Sequence, residues 1–175
     1  MTDYEAHLRD LVHRDRIRTC ITKAARGLDR YDADHAKEAF WPDATDDHGT
    51  VVGPAFAYID GRSNTVWKGV QHYLMNQTID LDGDTAHVET YFMALIRPLS
   101  EDRSEFTVGR YLDRVERRGD DWRIAHRLTV VEWSGATAPA PADTVVPGIE
   151  KFAKGTLDRR DPSYLRPLGP ERTAP

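Results

Sequence analysis

Apolar residues recur at spacings of three and four along the first part of the chain. The members of this stripe are Leu8, Leu11, Val12, Ile17, Ile21, Ala24, Ala25 and Leu28. Such spacing predicts an amphipathic helix over residues 4–29. The phase of the stripe slips near Asp15, so the pattern is compatible with a kink or with two helices. Asp29 follows Ala25 by four positions and is therefore expected at the edge of the buried face.

Two shorter helices are predicted after the first. Asp32 can cap a second helix, and Pro42 ends it. Residues 44–52 indicate a short strand or an extended loop. Residues 60–71 fit a third helix, because three apolar side chains fall on one face of it. The three are Val66, Trp67 and Val70.

From His72 onward the pattern changes to a period of two. Asp82-Gly83-Asp84 is a tight-turn signal between the segments HYLMNQTIDL and TAHVETYFMALI. EFTVGRYLDRVERR and WRIAHRLTVVEW follow as further strands around the turn Gly119-Asp120-Asp121. Long strands joined by short turns predict an antiparallel meander.

The order of these elements predicts the fold class. Helices first and strands afterwards favour the α+β class. We expect a cone-shaped barrel, in which a strongly curved antiparallel sheet is wrapped by the N-terminal helices and leaves a cavity. Residues 1–135 are assigned to this domain. Residues 136–175 are interpreted as a Pro/Ala-rich linker and a C-terminal extension.

Composition and charge narrow the range of partners. Lys and Arg number 24, Asp and Glu number 29, and the formal net charge is −5. Without a basic stripe, nucleic acid is not an expected partner. No apolar run approaches the roughly 20 residues of a membrane helix, and the N-terminus lacks a signal-peptide core. Cys20 is the single cysteine, which suits a reducing cytoplasm.

Asp29 and His72 are the most informative pair of residues. They stand 43 positions apart, so only the fold can bring them together. A carboxylate that orients an imidazole makes a general base that works near neutral pH without a cofactor. Asp29 could instead cap a helix, and His72 could be an edge-strand histidine with a local hydrogen bond. Since Asp32 and Asp34 already offer capping oxygens, the catalytic interpretation is favoured.

Three segments together carry a resemblance to a known family. They are GLDRYDADHAKEAFWPDA, HYLMNQTIDLDGDTAHVETYF and GDDWRIAHRLTVVEW. In order and spacing they resemble the SnoaL-like, scytalone-dehydratase-like branch of the nuclear-transport-factor-two-like superfamily, over roughly residues 5–135. The resemblance implies a cone fold with an open, mostly apolar pocket. It also implies an Asp–His pair for elimination chemistry, which several members use.

The resemblance assigns roles to individual positions. Asp29 and His72 fall on the family aspartate and histidine. Trp41 matches a pocket aromatic, and His48 falls where scytalone dehydratase has a tyrosine that polarises its substrate. Two departures stand out: EFTVGRY lacks the second histidine of that enzyme, and Ala24 replaces the tyrosine of the bile-acid dehydratase. Neither mechanism therefore transfers whole, and His48 or a bound water is left as the acid.

Further polar residues are predicted to bind the substrate. Asn76 lies four positions after His72, and we expect it on the same strand face. Tyr91 and Arg127 could also bind substrate oxygens, although Arg127 could instead pair with carboxylates on the outer face of the sheet. Asp46 and Asp47 are interpreted as a solvated turn. The spacing of His48, His72 and Asp29 is not compact, so no metal site is predicted.

The sequence thus predicts a cofactor-independent lyase. Neither a Gly-rich phosphate loop, nor a dinucleotide fingerprint, nor a G-x-S-x-G elbow occurs. The expected substrate is a hydrophobic, oxygenated aromatic or polycyclic small molecule, which loses water or undergoes a related carbon–carbon cleavage. The alternatives are an isomerase or cyclase with the same base, and a non-catalytic binder or oxygenase small subunit. A homo-oligomer, trimer or dimer, is expected.

Overall fold

The computed structural model describes residues 2–62, 67–99, 103–137, 148, 151–153 and 155–165. Its helices are α1 (Asp3–Asp29), α2 (Ala33–Lys37) and α3 (Ala55–Gly61). Its strands are β1 (Phe40–Asp47), β2 (Val52–Pro54), β3 (Trp67–Asp82), β4 (Thr85–Pro98), β5 (Glu105–Arg118) and β6 (Asp121–Ala136). This succession confirms the α+β class. None of the described helices is long and apolar enough to cross a membrane.

The sheet is curved and mixed, and it is not closed into a barrel. Its strand order is β2-β1-β6-β5-β4-β3. Strands β3 to β6 form the predicted antiparallel meander. One pair departs from the predicted antiparallel sheet, since β1 runs parallel to β6. Strand β1, which follows α2 in the chain, pairs with the outer edge of β6, the last strand of the meander.

Helix α1 is continuous, so the phase slip near Asp15 is not a kink. It marks the point where the helix changes from exposed to packed on the sheet. A capping box between Thr2 and Glu5 begins the helix. Three residues of the apolar stripe in its first half are 43–48% exposed: Leu8, Leu11 and Val12. Burial starts at Ile17, which is fully enclosed between the helix and the concave face of the sheet. The second half of the helix thus packs on the sheet and carries Asp29 to it.

The prediction of a third helix over residues 60–71 is wrong. The helix is shorter and earlier, Ala55–Gly61, and β3 already begins at Trp67. Val66 lies outside the described residues. Trp67 and Val70 fit a helical spacing, but aromatic and β-branched side chains also suit a pleated strand. Val70 is 5% exposed on that strand, two residues before His72.

A close approach between α1 and α2 fixes the end of the first helix. A Cβ at Gly27 would lie 2.4 Å from the backbone nitrogen of Ala36. Asp32 caps α2, as predicted, and its side chain accepts a hydrogen bond from the backbone of His35. The described part of the C-terminal extension packs beside this cap, where the Tyr164 hydroxyl donates to Asp32 at 2.7 Å. Helix α2 thus contacts the last turn of α1 at Gly27, and the C-terminal extension contacts the cap of α2 at Asp32.

Candidate active site

The structure brings Asp29 and His72 together. The imidazole Nδ1 of His72 lies 2.5 Å from Oδ1 of Asp29. The backbone N–H of His72 also donates to the same carboxylate, 3.1 Å from each oxygen. The side chain of His72 is only 8% exposed, and that of Asp29 is 12% exposed. One carboxylate thus orients both the main chain and the ring of this histidine, which leaves Nε2 available to act as a base.

The His72 ring lies on the concave face of the sheet among aromatic side chains. The ring centroids of Phe92 and Tyr111 are each 6.5 Å from it, and the two aromatic rings stack on each other at 4.2 Å. Burial raises the pKa of Tyr111, so its phenol stays protonated. An apolar environment of this kind strengthens the electrostatic interactions of the Asp29–His72 pair.

A groove of about 390 Å³ opens between the end of α1 and β3. Its lining combines the pair with apolar, basic and hydroxyl side chains: Thr22, Ala25, Arg26, Asp29, Arg30, His72, Leu74 and Ser163. Ser163 belongs to the C-terminal extension and accepts a hydrogen bond from Arg26 at 3.1 Å. The extension therefore contributes directly to the wall of the groove.

A second Asp–His pair lies on the same concave face. His48 forms a short hydrogen bond through Nδ1 to Asp46, whose side chain is 2% exposed. The His48 ring stacks on Tyr58 with centroids 4.1 Å apart and lies 6.4 Å from the ring of Tyr111. The interpretation of Asp46 as part of a solvated turn is wrong. Pairing with β6 buries it, because Asp46 lies opposite Arg127.

The ring of Tyr111 lies near both imidazoles. His48 and His72 are each within 6.5 Å of its ring, and each has its Nδ1 turned toward a buried carboxylate. Thr129 further restrains His48, since its hydroxyl lies 3.3 Å from the ring Nε2. An imidazole held by a carboxylate can take up or release a proton, and His72 is the one of the two that lines the groove.

Arg127 is buried inside the fold and is already paired. It is 1% exposed and makes two hydrogen bonds to Asp113, of 2.7 and 2.8 Å. Its guanidinium carbon lies 4.1 Å from the centroid of the Tyr111 ring. Burial by itself lowers the pKa of the guanidinium, but the Asp113 carboxylate outweighs this and holds the pKa above its usual value. The predicted carboxylate partner exists, but on the inner face instead of the outer one.

Asn76 does not share the face of His72, contrary to prediction. The pairing of β3 with β4 shifts register between Leu74 and Gln77. A bulge of this kind adds one residue to a strand and inverts the alternation of side chains beyond it. Gln77 therefore takes the inner position and donates to the hydroxyl of Thr90 at 2.9 Å, whereas Asn76 is exposed.

The structure does not bring Tyr91 or Trp41 to the two histidines. Tyr91 is 41% exposed and lies opposite Arg110 on the outer face of the sheet. Trp41 lies at the far end of β1, where its indole donates to the carbonyl of Glu116 at 3.1 Å. The guanidinium groups of Arg118 and Arg123 lie 4.8 and 4.9 Å from its ring. In the described part of the chain, no three His, Cys, Asp or Glu side chains cluster as a metal site.

The comparisons with known proteins agree with this fold. The model of the SnoaL-like domain matches residues 9–128. A hexachlorocyclohexane dehydrochlorinase of type 2 superposes with a TM-score of 0.71 at 18% identity, over 82% of this chain and 99% of that one. A candidate scytalone dehydratase from Novosphingobium aromaticivorans gives a TM-score of 0.67 at 20% identity, over 76% and 93%. No protein of curated function matches the sequence. At these identities the structural similarities establish the fold alone.

Proposed function

The chain belongs to the SnoaL-like domain family, and from this premise we propose that it is a cofactor-independent lyase. Its substrate would be a hydrophobic, oxygenated aromatic or polycyclic small molecule. The observation that carries the proposal is the orientation of His72. The Asp29 carboxylate accepts from both the backbone N–H and the ring of this histidine. The similar structures described as a dehydrochlorinase and a candidate dehydratase support elimination chemistry.

The reaction would begin with proton removal by His72. Nε2 takes a proton from a carbon next to an electron-withdrawing group of the substrate. The electrons of the broken C–H bond form a carbon–carbon double bond, and the leaving group departs from the neighbouring carbon with its bonding pair. Asp29 stabilises the imidazolium that results. A positioned base of this kind contributes about 10²- to 10⁴-fold in rate.

His48 is proposed as the general acid, positioned by Asp46. When the leaving group is an oxygen, a proton from His48 releases it as water or an alcohol. The ring of His48 is fixed by Asp46, Tyr58 and Thr129, which is the preorganisation that proton transfer needs. This second imidazole also favours one alternative function. If His48 returned the proton to a different carbon, the same site would act as an isomerase.

The test uses proton exchange as well as turnover. Wild-type protein is incubated in D₂O with a panel of β-hydroxy and β-chloro aryl ketones. Deuterium incorporation is followed by NMR, and formation of the conjugated enone is followed by absorbance. We expect His72→Ala to lose at least about 100-fold in rate with an unchanged circular dichroism spectrum. His87→Ala, an exposed histidine on β4, serves as the matched control and should keep full activity. An active His72→Ala protein would overturn the proposal.

We also propose that the protein is a homo-oligomer, a dimer or trimer. Four side chains lie in register across the outer face of the meander: Tyr73, Met93, Val108 and Trp133. Tyr73 is 40% and Trp133 is 58% exposed, so this row offers apolar surface to a second copy. Light scattering of Trp133→Glu should report a smaller particle than that of the wild-type protein.

A cytoplasmic location is the last part of the proposal. Cys20 is free and buried, which suits a reducing compartment because no cystine is needed for the fold. Fractionation of the native host, followed by detection of the protein with an antibody, tests this directly.

A further inference from the structure

A small cavity lies between the end of α1 and α3, and two of its lining residues carry unsatisfied donors. Its volume is about 70 Å³, and its lining is largely apolar: Gly27, Leu28, Tyr31, Ala33, Ile59, Asp60 and Arg62. The hydroxyl of Tyr31 and the Nε of Arg62 are buried without a hydrogen-bond partner. They are two of three such side-chain atoms in the described residues. Because buried donors without an acceptor are costly, this pair indicates a missing acceptor.

Among the described residues, the charge of Arg62 is also without a carboxylate partner. Buried Arg127 has the carboxylate of Asp113, but no carboxylate in the described part of the chain forms an ion pair with Arg62. Asp60 lines the same cavity, yet its carboxylate binds Lys37 at 2.5 Å and its side chain is 56% exposed. Aromatic side chains hold the guanidinium group of Arg62 in place. Nη1 donates to the Tyr58 hydroxyl at 2.9 Å, and the guanidinium carbon lies 5.0 Å from the ring centroid of Trp67.

Tyr31 lies at this cavity directly after the end of α1. Its φ of 49° is the sole positive value among the described non-glycine residues. This left-handed conformation ends the helix: the backbone N–H of Tyr31 donates to the carbonyl of Leu28 at 3.4 Å, and that of Asp32 donates to Gly27 at 2.9 Å. Burial raises the pKa of the phenol, so the hydroxyl remains a donor. Tyr31 also follows Asp29 by only two residues.

We propose that this cavity binds a carboxylate group, whose oxygens accept hydrogen bonds from Nε of Arg62 and Oη of Tyr31. A carboxylate supplies both the negative charge and the two acceptors that these groups lack. Its location connects it with the candidate active site. Arg62 binds Tyr58, and the ring of Tyr58 stacks on His48 at 4.1 Å. The carboxylate could belong to the substrate or to a small free acid, since both present the same chemistry.

The test measures binding without turnover, so it is independent of the lyase proposal. Isothermal titration calorimetry compares sodium benzoate with benzamide, which has the same ring and no charge, and with sodium acetate. We expect benzoate to bind at least tenfold more tightly than benzamide. Arg62→Gln and Tyr31→Phe should each remove most of that difference, and His72→Ala should keep it. If acetate binds as tightly as benzoate, the ligand is a small free acid. If acetate binds more weakly, the ligand is the carboxylate group of a larger substrate.

Arg123→Gln is the matched control variant. Arg123 also stacks on a tryptophan, Trp41, at 4.9 Å, but it is already paired with Asp121. Its replacement should leave benzoate binding unchanged. Equal affinities of wild-type protein for benzoate and benzamide, or binding of neither, would mean that the cavity holds water only and would overturn the inference. The comparison of benzoate with benzamide uses wild-type protein, so it remains valid even if Arg62→Gln fails to fold. Tyr31→Phe is the milder variant, because it removes no more than one hydroxyl.

Discussion

The carboxylate of Asp29 accepts a hydrogen bond from the backbone N–H of His72 and lies 2.5 Å from the Nδ1 of the same residue. One side chain at the end of α1 thereby fixes both the position and the rotamer of a residue on the edge strand β3. The helix and the strand are joined at the point where the chemistry is proposed to occur. Changes to Asp29 are therefore expected to alter the orientation and the tautomer of the imidazole.

Asp29→Asn should reduce the rate by about 10²- to 10⁴-fold without unfolding the protein. The amide oxygen of Asn can still accept from the backbone of His72, but its N–H₂ group can donate to Nδ1. The ring proton then resides on Nε2, which loses its lone pair as a base. Steady-state kinetics and the ¹⁵N chemical shifts of the imidazole measure the two effects. Asp34→Asn, at an exposed position of α2, is the control, and equal rates for the two variants would contradict the prediction.

Asp46→Asn should slow elimination of an oxygen leaving group more than elimination of a halide. Asp46 positions His48, and a proton from His48 is needed only when the departing atom is a poor leaving group. The measurement is the ratio of kcat for matched β-hydroxy and β-bromo ketones. Asp47→Asn is the neighbouring control, since the Asp47 carboxylate accepts from the backbone of Gly49 at 2.9 Å and does not hold His48. An unchanged ratio in Asp46→Asn would remove His48 from the role of acid.

Arg127→Ala should destabilise the fold by about 3–5 kcal/mol, because it leaves Asp113 charged, buried and without its partner. Both side chains are essentially inaccessible, at 1% and 0% exposed. Removal of both charges in Arg127→Met/Asp113→Leu should recover most of the loss. Urea unfolding gives the free energies. Arg123→Ala breaks an exposed pair with Asp121 and should cost no more than about 1 kcal/mol, so equal losses for the two arginine variants would be inconsistent with a buried pair.

Cys20 should resist thiol reagents in the native state. Burial raises the pKa of its thiol to about 12, from an ordinary value of 9.0, and its Sγ lies 3.1 Å from the carbonyl of Ala39. At pH 8 the native protein should react with a disulfide reagent far more slowly than the protein in urea. Because the folded-state pKa is the higher one, the thiol contributes stability below about pH 9 and loses that contribution as the pH rises toward 12. Rapid native labelling would show that the helix opens locally.

The sequence predicts the helices and strands around the site better than the orientation and burial of the side chains inside it. The hydrophobic periods predicted α1 and the meander, and the family resemblance placed Asp29 and His72 correctly relative to each other. Asp46 was missed because DATDDHGT has the composition of an exposed turn, and only its pairing with β6 buries one of the three acids. The face of Asn76 was misassigned because a single-residue bulge carries no compositional signal. Local sequence patterns do not encode pairing between strands. The errors at Asp46 and Asn76 therefore occur where strand pairing determines which side chains are buried.

The contact between Gly27 and Ala36 limits which sequences this scaffold tolerates. A methyl group at position 27 would collide with the backbone of the neighbouring helix, so even Ala requires the last turn of α1 to move. That movement would be passed two residues along the chain to Asp29. Libraries aimed at a new substrate can therefore vary the walls of the groove other than Asp29 and His72, but position 27 admits a single residue type. A glycine with no chemistry of its own thus sets a limit on how far this site can be re-engineered.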